Sequence, residues 1–590
     1  MFALRAAICI GAPILVGSTL GNTSAGLMAS IGGFTSLYGS GRPYLSRARH
    51  LGVIALAFAL VVGLGLHVAA SPAAAVVVVA SIAMGATLLS NALQVGPPGA
   101  YMFTLACATG TAMPGAHVAP LTAAILVLAG GTFAWLMQMG GAWFDPRGPE
   151  RRAVMNAGNA VTAFIEAAGT PQEGTARRRA AFALHQAWSV LVAQQPARAR
   201  AGGELSRLRT LNRELHLLFA EAMEAASREH APSAELLAKA RALAADVNDA
   251  KARPESEADS VPLGHPGALD ALAESLRPGS SSWRVVVRVG CAAIVVSVLG
   301  ALLHLERAYW AVAATVLMLH QGFDWLRMVQ RSLERLLGTW AGLLLAGAIL
   351  AVHPQGLWLA LTVMALQFTI EMLVLRNYAL AAVFITGAAL TIASGGHPVE
   401  APGHYLLARG VDTLVGCVVA LIVFWFIPPR RALRRIPEQI IGTLRGVSAV
   451  MPHASTGNVT TTAARAARRD LQRASLALTN AYEESLAGSR SERRNGERLW
   501  PTIAAVERLA YRTLSTCWTL ERLGRDAARE AAASMFGQDG AARVSQEVDA
   551  LADSIITGKA PPAVGPVPQV LETEVRMVQE CLASSDIRRI

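Results

Sequence analysis

The chain has 590 residues and a formal net charge of +11 at pH 7, with 53% of its residues hydrophobic and 16% charged. A soluble domain is about 25% charged, so the composition excludes an ordinary soluble protein. No Asp, Glu, Lys or Arg occurs between His50 and Phe144. A stretch that long must cross a bilayer several times, because one helical span needs about 20 residues. The positive-inside rule accounts for basic loops, and we expect no nucleic-acid partner.

Two apolar blocks alternate with two charged segments along the chain. We predict an all-α polytopic membrane protein with a first transmembrane domain of six helices at 1–144 and a cytoplasmic helical domain at 145–282. A second transmembrane domain of six helices at 283–429 and a second cytoplasmic helical domain at 430–590 follow. The predicted spans lie at about 3–21, 24–40, 51–70, 73–93, 99–115, 118–140, 284–304, 308–323, 336–352, 356–374, 377–395 and 405–428.

The two halves share short stretches of sequence. RAAICIGAPILVGSTLG, which starts at Arg5, aligns without gaps with RVVVRVGCAAIVVSVLG, which starts at Arg284. Further on, SRARHLG aligns with SLERLLG and pairs Arg49 with Arg335. This recurrence argues against a signal peptide at the start of the chain. It predicts two parallel repeats of six helices each.

The loop charges predict the orientation. With the N-terminus in the cytoplasm, most of the loop arginines of both halves fall on the cytoplasmic side. We therefore expect a multi-pass protein of the bacterial inner membrane, in contact with membrane lipid, with both termini in the cytoplasm. The sequence has no GxxxxGK[ST], HExxH or GxSxG motif. We expect no enzyme, no cofactor and no metal site.

Polar residues at or inside the spans are the candidate transport residues, because ionisable groups are costly in a bilayer and tend to be functional. Arg327, Arg331 and Arg335 are spaced by four and share one helix face at the cytoplasmic mouth. They either anchor the helix to anionic lipid or concentrate anions. Arg409 and Asp412 lie three apart and can pair across one turn, as a structural anchor or as part of a gate.

Other candidates have two interpretations as well. Glu371 shares a helix face with Gln367 and is either an interfacial carboxylate beside Arg376 or, like Asp412, a proton-coupling group. Tyr309 and Trp310 are either interfacial belt residues or rings on which an aromatic substrate stacks. The remaining candidates for transport are His320, Gln321 and Tyr378. The residues expected to let helices approach closely are Gly338, Thr339, Gly342 and Gly416.

Three stretches between 284 and 430 resemble one family. RSLERLLGTWAG contains an R..GT..G pattern, and LRNYALAAVFIT and RGVDTLVGCVVALIVFWFIPP follow in order. Together they are similar to the fusaric acid resistance family of bacterial inner-membrane aromatic acid exporters. The first half departs from this pattern, because no Thr follows Gly52.

The resemblance implies a secondary transporter, proton-linked or otherwise, that exports small organic anions such as aromatic carboxylic acids. Some members of the family work with a periplasmic adaptor protein. The membrane region is also similar to plant aluminium-activated malate channels, which leaves a passive anion channel as an alternative. A membrane scaffold that transports nothing is a third interpretation. The small-residue faces of the spans and the helical domains lead us to expect a homodimer.

Overall fold

The computed structural model describes most of the chain. The described residues are 2–585 without 94, 112–117, 196–202, 228–232, 248–271, 274, 278–279, 303–307, 321–324, 395–401, 429–431 and 488–489. Over these residues the fold is helical, without a strand. The chain forms two compact units, each built from separate stretches of sequence. We call residues 1–40, 44–146 and 266–429 the apolar unit, and residues 41–43, 147–265 and 430–590 the charged unit.

The helices of the apolar unit fall into a first and a second half. The first half contains α1 (Phe2–Thr19), α2 (Thr23–Gly32), α3 (Tyr44–His67), α4 (Pro72–Ala92), α5 (Ala100–Thr111) and α6 (Pro120–Met139). Short 3₁₀ turns follow at Gly33–Leu37 and Gly140–Ala142. With helices numbered along the whole chain, the second half contains α11 (Ser281–Leu302), α12 (Ala308–Leu319), α13 (Trp325–Val352), α14 (Leu357–Leu373), α15 (Tyr378–Ser394) and α16 (Pro402–Phe426).

By length and composition, seven described helices can cross a membrane. They are Phe2–Thr19, Tyr44–His67, Pro72–Ala92, Pro120–Ala142, Ser282–Gly300, Trp325–Val352 and Pro402–Phe426. Three further apolar helices are shorter, at Trp310–Leu319, Leu357–Leu373 and Tyr378–Ser394. The prediction of an all-helical membrane protein is confirmed. The count of twelve spans stays a prediction, since α2 and α5 have only 10 and 12 residues.

The two halves of the apolar unit pack against each other through corresponding helices. α1 lies against α14, and α11 lies against α4, so the first helix of each half contacts the fourth helix of the other. Glycines permit both contacts. A Cβ atom at Gly11 would collide with the side chain of Met364, and one at Gly290 would lie 2.7 Å from the sulfur of Met84. Within each half, the third helix contacts the fifth and the sixth.

The charged unit combines two stretches of the chain. The first contains α7 (Gly148–Glu166), α8 (Glu173–Trp188), α9 (Glu204–Ser227) and α10 (Ala234–Asp246), with a π-helical turn at Ser189–Ala193. The second contains α17 (Ala432–Ser455), α18 (Thr462–Ala487), α19 (Arg490–Arg522), α20 (Arg525–Phe536), α21 (Gly540–Thr557) and α22 (Gln569–Ser584). Apolar residues at helical spacing bury one face of each helix.

The two stretches of the charged unit are joined through α19. Tyr511 of α19 packs edge-on against Phe219 of α9, with ring centroids 5.2 Å apart, and belongs to the same apolar cluster as the core of α7 to α10. Arg177 of α8 also forms an ion pair of 3.3 Å with Glu507 of α19. The two charged segments of the sequence therefore share one packed structure.

Candidate functional site

The arginine stripe of α13 runs from an exposed helix end into the interior of the apolar unit. Arg327 is exposed, Arg331 is half-buried and Arg335 is only 1% exposed. The helix advances about 1.5 Å per residue, so Arg335 lies roughly 12 Å further along α13 than Arg327. The three side chains therefore do not converge at one mouth. Arg335 stands apart as a buried guanidinium.

Hydrogen-bond donors without partners surround Arg335. Ser332 and Thr339 lie one turn before and one turn after it on the same face of α13, and both are buried. Among the described residues, Nε and Nη1 of Arg335, Oγ of Ser332 and Oγ1 of Thr339 have no hydrogen-bond partner. The groups that act on the guanidinium electrostatically include the hydroxyls of Tyr378 and Tyr101. This environment is rich in donors, as an anion requires.

Arg331 is held differently from Arg335. Its guanidinium carbon lies 3.3 Å from the centroid of the Tyr378 ring, and its Nη1 atom lies 3.7 Å from a carboxylate oxygen of Glu334. Arg331 thus has both an aromatic and an acidic neighbour. The stacked guanidinium fixes the plane of the Tyr378 ring beside Arg335.

Glycines bring the helices around Arg335 close together. A Cβ atom at Gly338 would collide with the carbonyl oxygen of Ala379, and one at Gly342 would lie 2.7 Å from the carbonyl oxygen of Val383. α13 and α15 are therefore in backbone contact. Gly416 of α16 allows a similar approach to α12, where the hydroxyl of Thr315 donates to the Gly416 carbonyl at 2.9 Å.

The first half of the apolar unit reaches this site through the start of α5. The Tyr38 hydroxyl donates to the carbonyl of Gly99 at 2.8 Å. A Cβ atom on Gly99 would lie 3.4 Å from the ring of His320, whose Nδ1 atom is 2.9 Å from the Val316 carbonyl oxygen. Tyr101 follows two residues later. Sequence reasoning missed Tyr101, because a tyrosine at the start of an apolar segment gives no signal of its own.

The first half also contains a buried arginine, in α3. Arg47 is buried and Arg49 is exposed. The Nη1 atom of Arg47 donates to the Gln138 carbonyl at 3.5 Å, and its guanidinium lies 4.8 Å from the Tyr44 ring centroid. Arg47, and not Arg49, thus shares the burial of Arg335. When Arg47 is aligned with Arg335, Leu51, Ile54 and Phe58 of α3 match Thr339, Gly342 and Ala346 of α13.

A second set of polar side chains lies in the first half of α16. The guanidinium carbon of Arg409 is 3.8 Å from the Trp310 ring centroid, and Asp412 is buried one turn further along α16. Trp310 and His320 lie ten residues apart along the chain through α12, or roughly 15 Å along a helix. The Arg409 group is therefore separate from His320 and its neighbours. A direct pair between Arg409 and Asp412 stays a prediction.

The remaining candidates are more dispersed. The side-chain amide of Gln367 donates to the Glu371 carboxylate at 2.8 Å, as expected from their four-residue spacing. Arg376 is exposed in the short connection between α14 and α15. Gln321 and the side chain of Tyr309 lie outside the described part of the structure. Arg288 of α11, which the sequence did not single out as a candidate, is a further buried arginine.

These features define a helical membrane protein with a buried, donor-rich arginine site. Residues 292–423 match the family described as fusaric acid resistance protein-like, so the resemblance seen in the sequence is confirmed for this segment. The segment contains half of α11, all of α12 to α15 and most of α16, and therefore Arg335, Tyr378 and Arg409.

Two curated proteins are similar to the chain. The uncharacterized membrane protein YvaC of Bacillus subtilis (strain 168) is 27% identical over 544 residues, which cover 87% of this chain and 85% of that protein. The uncharacterized protein YhfK of Escherichia coli (strain K12) is 33% identical over 155 residues, which cover 26% of this chain and 21% of that protein. No solved structure matches the chain significantly.

Proposed function

We propose that the protein is a secondary transporter that exports small organic anions, with aromatic carboxylic acids among its substrates. The observation that carries this proposal is the buried guanidinium of Arg335, whose Nε and Nη1 atoms have no hydrogen-bond partner in the described residues. A buried cation without an acidic partner costs several kcal/mol. A bound carboxylate offsets that cost and accepts two parallel N–H bonds from the guanidinium fork.

The neighbours of Arg335 support an organic anion over a bare inorganic one. The hydroxyls of Ser332 and Thr339 supply further donors on the same helix face. The Tyr378 ring, which stacks on Arg331, lies beside the charge, and the Tyr101 hydroxyl acts on it electrostatically. Rings of this kind favour a planar, partly apolar body attached to the carboxylate. Arg331 and Arg327 lead outward along α13 and would attract the anion toward the site.

We also propose that the apolar unit is a parallel duplication with twelve spans and with both termini in the cytoplasm of a bacterium. The reciprocal packing of α1 on α14 and of α11 on α4 supports the duplication. So do Gly11 and Gly290, which align in sequence and each accommodate a methionine from the other half. Transporters built from two repeats place substrate between the halves. Tyr101 of the first half acts electrostatically on Arg335 of the second half.

Coupling to protons would use a carboxylate of the second half. Glu371 hydrogen-bonds to Gln367, and Asp412 is buried in α16. In a coupled exporter, Glu371→Gln or Asp412→Asn abolishes uphill flux and leaves binding at Arg335 intact. In a passive anion channel, neither substitution changes downhill flux.

The test is flux from proteoliposomes loaded with aromatic or aliphatic carboxylates, with and without an imposed pH gradient. We expect saturable flux of at least one carboxylate that is lost in Arg335→Ala. The control is Arg49→Ala, which removes an exposed arginine. Flux that is independent of the pH gradient would identify a passive channel. No flux from folded protein would overturn anion transport and favour a scaffold.

The same preparation also tests the proposed partners. Light scattering measures whether the protein is a homodimer, and added periplasmic extract tests for an adaptor.

A further inference from the structure

A second arginine is buried in the apolar unit, away from the stripe of α13. Arg288 lies in α11 and is 2% exposed. Its Nε and Nη1 atoms have no hydrogen-bond partner among the described residues. Its guanidinium carbon is 5.1 Å from the ring centroid of Phe424 in α16. One face of the cation is therefore covered by an aromatic ring, while two N–H groups remain available.

The surroundings of Arg288 are apolar and come from both halves. The adjacent core cluster contains Val79 and Ala83 of α4, Val289 and Ala292 of α11, and Phe424. A guanidinium beside such a cluster loses its hydration, and the cation–π contact with Phe424 restores only part of that loss. An anion that accepts a hydrogen bond from a free N–H group would restore the rest.

Arg288 is buried although exposed residues share its helix face. Val295, two turns further along α11, is exposed, whereas Arg288 is 2% exposed. A lipid headgroup and a small soluble anion would both have to enter the packed core to reach the guanidinium, and the vesicle composition in the experiment below distinguishes the two.

We infer that Arg288 is a second anion-binding station, which takes the carboxylate of a small aromatic or aliphatic acid separately from Arg335. This inference rests on the proposed function for its substrate class, but not for the existence of the site. The N–H groups of Nε and Nη1 point in different directions, so one of them donates to the carboxylate. Phe424 and Trp325, whose ring centroids lie 5.9 Å apart, contact each other and would offer an apolar surface for its body.

Two stations have a kinetic consequence. A charge-assisted hydrogen bond contributes about 1.5–3 kcal/mol, and each 1.4 kcal/mol corresponds to roughly tenfold in affinity. We therefore expect Arg288→Gln to raise KM for carboxylate flux by about tenfold or more, with a smaller effect on kcat. Arg288→Lys keeps the charge but loses the fork, and should recover part of the affinity.

Binding can be measured without transport. Trp325 lies close enough to Phe424 and Trp425 to sense the site. Protein in phosphatidylcholine vesicles is titrated with benzoate or acetate, and tryptophan emission is followed. We expect a saturable change that is kept in Arg335→Ala and lost in both Arg288→Gln and Trp325→Phe. Circular dichroism and size-exclusion chromatography verify that each variant is folded.

Each contrary outcome has a separate meaning. An unchanged titration in folded Arg288→Gln and Arg288→Lys would overturn the second station. A change in tryptophan emission that requires phosphatidylglycerol in the vesicles and does not respond to benzoate would also overturn the second station. A lipid phosphate would then be the ligand. If Arg335→Ala abolishes flux while Arg288→Gln keeps the wild-type KM, the proposed transport stands and the second station fails. If wild-type protein binds benzoate at Arg288 but gives no flux, the station stands and transport fails.

Discussion

Three buried arginines of the charged unit form ion pairs with carboxylates, whereas Arg335 and Arg288 of the apolar unit form none among the described residues. In the charged unit, Arg468 forms a 2.9 Å ion pair with Glu521, in which both side chains are less than a tenth exposed. Arg508 and Arg177 likewise lie within 3.4 Å of carboxylates. In the apolar unit, Arg335 and Arg288 are as deeply buried, but neither has a hydrogen-bond partner for its Nε and Nη1 atoms among the described residues.

The difference indicates two uses of a buried cation. A paired arginine orients two helices and is needed for folding, because removal of either partner leaves a charge without compensation. An unpaired arginine costs free energy in the empty protein and is useful only when a ligand supplies the partner. Stability measurements can therefore separate the two kinds, since the paired arginines should matter for folding and the unpaired ones for binding.

The largest effect on stability should come from breaking a buried pair of the charged unit. Glu521→Ala leaves the guanidinium of Arg468 buried between α18 and α19, and we expect a loss of about 3–5 kcal/mol. Denaturant unfolding of the full chain, followed by circular dichroism, measures it. The matched control is Glu166→Ala, which breaks the exposed pair with Arg241. That change should cost less than about 1 kcal/mol, and equal losses for the two variants would contradict the distinction.

Acid should destabilise the charged unit next most strongly. Burial lowers the pKa of His216 from its ordinary 6.5 to about 4, and that of His185 also to about 4. A lowered pKa means that the folded state favours the neutral ring. This stabilisation is fully present above pH 6.5 and is lost as the pH falls toward 4. For His216 the loss reaches roughly 3 kcal/mol at the acid end.

The melting temperature of the full chain between pH 7.5 and 4.5 tests this expectation. His216→Phe keeps a ring beside Trp518, with which His216 makes an edge-on contact, and removes the titration. Its melting temperature should therefore fall less on acidification than that of the wild type. His453→Phe, at a partly exposed position, is the control. The same acid sensitivity in all three proteins would show that His216 is not the group responsible.

Substitution of Arg47 should have a smaller cost. Arg47→Ala loses the hydrogen bond to the Gln138 carbonyl and the contact with the Tyr44 ring. Each interaction contributes about 1 kcal/mol, so we expect a loss of roughly 1–2 kcal/mol with transport retained per folded molecule. Arg49→Ala should change neither property. If Arg47→Ala instead abolished flux at unchanged stability, the first half would contain a binding arginine as well.

The register of α3 illustrates what the sequence could and could not predict. Apolar length and arginine spacing predicted the helices of the apolar unit and drew attention to Arg335. The Gln367–Glu371 hydrogen bond was also within reach, because it depends only on the four-residue spacing within one helix. Whether Arg47 or Arg49 is buried depends on which face of α3 meets α5 and α6. That contact is tertiary and leaves no local signal.

The residues that surround Arg335 could not be predicted from local sequence patterns, for a similar reason. Tyr101 is separated from Arg335 by more than two hundred residues and comes from the other half of the apolar unit. No periodicity within either segment links the two. Arg288 is a charge inside an apolar helix, and the sequence analysis did not include it among the candidates. Depth along a helix, and not charge alone, distinguishes a binding arginine from an anchoring one.

The smallest effect on stability should come from substitution of Arg335. Here we expect a gain in folding stability and not a loss. Arg335→Leu replaces a cation that forms no ion pair among the described residues by an apolar side chain, so we expect no loss and a gain of up to roughly 1 kcal/mol in the empty protein. Carboxylate flux should nevertheless disappear. Thermal unfolding of the full chain in detergent, with and without benzoate, measures both aspects. Wild-type protein should be stabilised by benzoate, whereas Arg335→Leu should be stabilised less. A large loss of stability in Arg335→Leu would instead show that Arg335 is a structural residue, as Arg468 is, because a cation held ready for a ligand contributes nothing to the stability of the empty site.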